Sequence, residues 1–186
     1  MSDRAWLSVS MPYVLPGSAG QGDIWAADAE RQGGVGTQRL LDVAEVVPGA
    51  EVAEALQVEP GSPVVVRRRL MLLDDRPVEL TDSYYPVSIA RGTALAEPGK
   101  IRGGAVGLLA TLGYEPGLVR EDVYTRMPDE AERRMLGLSG QEWVLGLTRL
   151  LSTRQGVPIE ASVMTMVPQG RRLRYEMTIN EPDGGS

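Results

Sequence analysis

The chain has 186 residues, 42% hydrophobic and 24% charged, enough for one well-cored domain and short for two. It contains neither cysteine nor histidine, so disulfides, thiol catalysis, zinc-finger sites and a Ser-His-Asp triad are excluded. A net charge of −6 disfavours direct, non-specific binding to nucleic acid, which needs many phosphate-neutralising cations.

Residues 1–22 contain Pro12, Pro16, Gly17, Gly20 and Gly22 and read as an extended lead-in. They lack the basic-then-apolar pattern of a secretory signal, and no apolar run approaches the ~20 residues of a membrane helix, so a cytoplasmic protein is expected. Asp23 to Gln32 predicts a short helix, with Asp23 as N-cap and Gly33-Gly34 ending it. Gly34 to Val47 predicts a strand.

Leu56–Pro86 and Leu136–Pro168 then share one pattern. Each follows a helix end, at Val52 to Leu56 and at Asp129 to Leu136. Each continues through a glycine turn (Gly61, Gly140) into a strand rich in Val, Leu and Arg. A polar turn leads to Pro-Val-Glu-Leu (77–80) or Pro-Ile-Glu-Ala (158–161), a second strand and a closing proline. The reading is an internal duplication, helix–hairpin twice, forming an antiparallel sheet with flanking helices. Between the copies, Gly103 to Gly113 predicts a glycine-opened helix and Tyr114 to Met127 a strand. One domain is expected over residues 23–180, followed by a flexible, Gly-rich tail at 181–186.

Strand alternation puts Arg67 and Arg69 on one face and Arg68 on the other. Two readings are open for the first pair. With Glu79 on the partner strand they form an ordinary cross-strand ion pair, or their guanidinium forks clamp an anion. Arg149 and Glu160 hold the matching places in the second copy, and convergence of all four favours a ligand site. Gly103 and Gly104 open a helix whose free N–H groups can attract an anion, or form a simple loop. Trp25 either roofs a pocket or anchors the core. Ser83, Ser152 and Ser162 have no base to activate them, Asp74-Asp75 is a turn, and Met164 and Met166 read as sheet packing. No metal site and no cofactor is expected.

The segment Val65-x-Arg67-x-Arg69, followed by Pro-Val-Glu-Leu (77–80) and Ser-Tyr-Tyr-Pro (83–86), resembles the UTRA domain, the effector-binding domain of HutC-type GntR bacterial transcription regulators. Glu-Arg-Arg-Met-Leu-Gly-Leu (132–138), Thr-Arg-Leu (148–150), Gly-Val-Pro-Ile-Glu (156–160) and Trp25 followed by Gly33 extend the likeness over roughly residues 20–178. The resemblance implies an α+β, chorismate-lyase-like fold, a ligand pocket and a homodimer. It assigns Arg67 and Arg69 to a phosphate-holding pair and Glu79 and Glu160 to polar pocket positions. Gly103 or Gly104 stands where a serine hydroxyl is usual, and Met166 where a tyrosine is usual. Two lost hydroxyls count against a phosphosugar and leave a different, anionic effector. The family's winged helix-turn-helix is not seen ahead of the domain, so DNA would be engaged only through such a module outside this chain. The competing readings are a chorismate-lyase-like enzyme and a ligand-free dimerisation module.

Overall fold

Asp23 caps the first long helix as expected: its carboxylate accepts the Trp25 N–H at 3.0 Å, opening α2 (Ile24–Arg31). The structure, a computed structural model, describes residues 6–15 and 23–176. The chain passes from α2 into β2 (Gly36–Val46), α3 (Ala50–Ala55) and the hairpin β3 (Val64–Leu73) and β4 (Arg76–Pro86). Asp74 and Asp75 close that hairpin with φ of 50° and 62°, the left-handed pair that a two-residue turn between twisted strands requires. A short turn α4 (Val87–Ala90) and a long loop lead to α5 (Gly104–Thr111). Gly103 and Gly104 both have φ near +77°, a backbone that only glycine adopts without strain, which explains the doublet. Then come β5 (Pro116–Arg126), α6 (Glu130–Leu136), β6 (Val144–Thr153) and β7 (Pro158–Met166).

Six strands form one antiparallel sheet in the order β2-β3-β4-β7-β6-β5. The duplication is therefore real in the fold and longer than the sequence pattern suggested. Each copy is helix–strand–helix–hairpin, and the two meet at the β4–β7 seam. The helices between the strands cross over. Leu136 of α6 packs on Leu70, Leu72 and Leu80 of the first hairpin. Leu56 and Val52 at α3 pack on Ala161 and Leu150 of the second. This exchange gives the two copies a shared core. The opposite face of the sheet carries a second layer, in which Val65, Tyr85 and Leu151 pack under Val14, Ile89, Leu95, Val106 and Leu109.

Residues 6–15 differ from the extended lead-in read from the sequence. Trp6–Val9 form β1, paired in parallel with β8 (Arg171–Arg174), and Met11–Val14 form the helical turn α1. The cause is tertiary: Val14 is buried in the core, and the Gln32 side chain grips both backbone groups of Leu7 at 2.8 Å. The rest of the lead-in and the tail at 181–186 lie outside the described residues.

Candidate functional site

Residues directly opposite in a sheet share a face, and the register lines up one complete row. Arg67 pairs with Ser83, Ser83 with Ser162, Ser162 with Arg149, and Arg149 with Glu121. Two serines thus sit at the centre of the molecule, with an arginine outside each. The adjoining row on one side holds Arg69, Thr81 and Met164; that on the other holds Val65, Tyr85, Glu160 and Leu151.

The row is wired. Arg69 Nη2 donates to Ser83 Oγ at 3.0 Å, Ser83 and Ser162 share a hydrogen bond of 2.9 Å, and Ser162 Oγ donates to Glu160 Oε1 at 2.7 Å. A hydroxyl has one proton. Ser162 spends its proton on Glu160, so Ser83 is the donor between the serines, and the wire runs one way from guanidinium to carboxylate. Arg69 Nε and Glu160 Oε2 are shut off from solvent and have no partner among the described residues. Unpaired buried polar atoms of this kind cost about 1–3 kcal/mol each, so they are rare without a purpose. Tyr85 lies beside Glu160, and burial followed by the Glu160 carboxylate pushes its phenol far above the ordinary value.

The other expected site residues are placed as follows. Arg67 is buried, and its fork holds a loop: Nη1 donates to the carbonyls of Ala94, Leu95 and Glu97, and Nη2 to Gly99 at 2.6 Å. Burial lowers its pKa, with the neighbouring Arg69 cation adding to the effect. Glu79 stands opposite Met71, not Arg69, so the cross-strand Arg–Glu pair does not form. Glu79 binds Thr81 at 2.8 Å and Arg171 of β8 at 2.7 Å instead. It lies four residues along β4 from Ser83, about 13 Å at strand rise, so Glu79 and Glu160 do not converge. Met166 stands beside Glu79 and packs with Leu145, Leu147 and Met164. Arg149 is paired to Glu121, which also accepts from Ser10 at 2.9 Å. Trp25 is buried, donates Nε1 to the Leu72 carbonyl at 2.9 Å and packs tilted against Trp6, ring centroids 5.1 Å apart. Gly104 N–H is taken by the Ile101 carbonyl at 3.1 Å.

Ser83 and Ser162 escape a sequence reading that looks for nucleophiles, since neither has a base to activate it. Their signal was positional: Ser162 follows Glu160 by two, so alternation puts both on one face. On the opposite face a cleft of about 600 Å³ opens between α3 and β5–β7, lined by Glu51, Glu54, Arg120, Tyr124 and Thr148 among others.

An antiparallel sheet of two interlocked copies with helices on both faces defines the class: a chorismate-lyase-like α+β domain. The chain belongs to the UTRA domain family, whose model matches residues 31–169. Over 149 residues it is 32% identical to an HTH-type transcriptional regulator of Streptomyces coelicolor, a match covering 78% of this chain and 55% of the relative. The chain thus spans about half the length of that relative. Among solved structures it is similar to the effector domain of PhnF from Mycobacterium smegmatis, with a TM-score of 0.70 at 20% identity, covering 89% of this chain and 99% of that one. The ligand-binding domain of a GntR-family regulator from Bordetella bronchiseptica aligns with a TM-score of 0.64 at 20% identity, covering 89% and 97%. At such identities these likenesses concern the fold. No helix among the described residues is long and apolar enough to cross a membrane.

Proposed function

We propose that this domain is the effector sensor of a HutC-type GntR regulator and holds a small molecule at the Arg69–Ser83–Ser162–Glu160 wire. The observation that carries the reading is the pair of buried, unsatisfied atoms at the two ends of that wire, on a face crossed by polar residues from every central strand. Binding there changes the balance between two arrangements of the domain, and a homodimer passes the difference to winged helix-turn-helix modules that read DNA. Two facts support the transcriptional setting: the family, and a relative described as an HTH-type regulator of which this chain spans about half. The site is a sensor and not a catalyst: both serine protons are committed to the wire, and the chain has no histidine or cysteine to serve as base or nucleophile. A cytoplasmic location follows from the role.

A melting-temperature screen with sugar phosphates, amino-acid catabolites and aromatic acids tests this. At least one class raises the melting temperature of the wild type, and Arg69→Gln shrinks the shift. Turnover of chorismate would move the protein to the lyases. A regulator partner that binds tightly while no small molecule does would leave only a dimerisation module.

A further inference from the structure

Resting on the sensor reading above, we infer that the effector is a small zwitterion, an amino-carboxylic acid whose carboxylate meets Arg69 and whose ammonium meets Glu160. The two free valences differ in kind: Arg69 Nε is a donor on a cation, and Glu160 Oε2 is an acceptor on a carboxylate. Three hydrogen bonds of 3.0, 2.9 and 2.7 Å separate the two groups, which is the span of a small molecule. Glu160 is only 8% exposed, and its partners among the described residues are neutral hydroxyls, that of Ser162 at 2.7 Å and the Tyr85 phenol beside it. A buried carboxylate without a directly contacting cation is costly, and an ammonium at Oε2 removes that cost.

The same face is poorly equipped for a phosphate. Both Nη atoms of Arg67 are committed to four carbonyls, Arg149 to Glu121 and Arg171 to Glu79. Gly104 N–H at the start of α5 is spent on Ile101, and glycine there offers no hydroxyl. One guanidinium edge suits a carboxylate. A phosphate dianion brings acceptors alone and meets Glu160 with like charge.

The test is isothermal titration and thermal melting of the whole chain with γ-aminobutyrate, β-alanine and the common α-amino acids, against butyrate, butylamine and glycerol 3-phosphate. At least one amino acid binds, and the singly charged counterparts and the phosphate bind ~10-fold or more weakly, as loss of one buried charged contact requires. Glu160→Gln weakens the amino acid by a similar factor and leaves butyrate no weaker, since the like charge is removed. Without ligand, Glu160→Gln melts at or above the wild type; a melting temperature several degrees lower means that Glu160 is already neutralised within the fold and overturns the inference. Tighter binding of glycerol 3-phosphate or butyrate than of any amino acid, still lost in Arg69→Gln, overturns the zwitterion and leaves the sensing row standing. Silence from every probe, or binding indifferent to both substitutions, overturns both.

Discussion

The central hydroxyls owe their position to strand register, and single substitutions expose the dependence. Ser162→Ala removes the donor to Glu160 and the acceptor for Ser83 together. Urea denaturation should show a loss of about 1–3 kcal/mol from the stranded polar groups. Gly36 is a different kind of constraint. A Cβ there would lie 2.7 Å from Ala29 Cβ and 2.9 Å from the Trp25 ring. Gly36→Ala should therefore cost about 1–3 kcal/mol by overpacking, read from the same denaturation curve. Glu132 binds both Nη atoms of Arg126 at 2.6 Å and completes the capping box of α6. The Arg126 hydrogen bonds, ahead of the smaller helix-cap contribution, hold its pKa at about 2, below the ordinary 4.5. A depressed folded-state pKa gives stability that is complete above 4.5 and lost as pH falls toward 2. Melting between those values should fall more steeply for the wild type than for Glu132→Gln. Residue types were legible in the sequence at this scale, and pairings were not. Arg69 and Glu79 are ten apart in the chain, but the two-residue turn sets a register in which Glu79 would face Leu70, and the bulge at Met71/Leu72 moves it on to Met71. No spacing rule reports such a slip.

Among the elements, the loop between α4 and α5 depends most on one side chain. Arg67 gathers the carbonyls of residues 94, 95, 97 and 99 into a single fork. Leu95, carried by that loop, packs in the cluster that holds Tyr85 and Val14. The loop and α1 thus lie over the row containing Glu160, and on the proposed reading this cover opens before a ligand reaches the shielded ends of the wire. Arg67→Gln should raise hydrogen exchange across residues 94–99 by at least ~10-fold, since about 1.4 kcal/mol of lost local stability suffices for that. Exchange in β6 and β7 should stay near wild type; equal acceleration throughout would mean that Arg67 supports the global fold and not the cover. The six strands of the main sheet and α2 were readable from their apolar content, from the repeat and from the Asp23 cap, whereas β8 was not read at all. Trp6–Val9 and Met11–Val14 were not, because their order comes from Gln32, β8 and the core, partners 20 or more residues away.

For the molecule as a whole, duplication explains both the shared core and the two-ended wire. Ser83 comes from one copy, Ser162 from the other, and the seam between β4 and β7 joins them. The sequence repeat announced two hairpins. Their partnership across the seam, and the exchange of α3 and α6 between hairpins, are long-range pairings that no local periodicity encodes. The two faces of the sheet separate the proposed site, the wired row under α1 and the loop, from the cleft against α3. Two-dimensional amide NMR of the labelled chain, titrated with a compound that raises its melting temperature, distinguishes them directly. Binding at the wire should concentrate the shifts at residues 69, 83, 160 and 162 and in the 94–99 loop. Shifts confined to residues 51–55, 120–126 and 148, with the serine row unmoved, would contradict it.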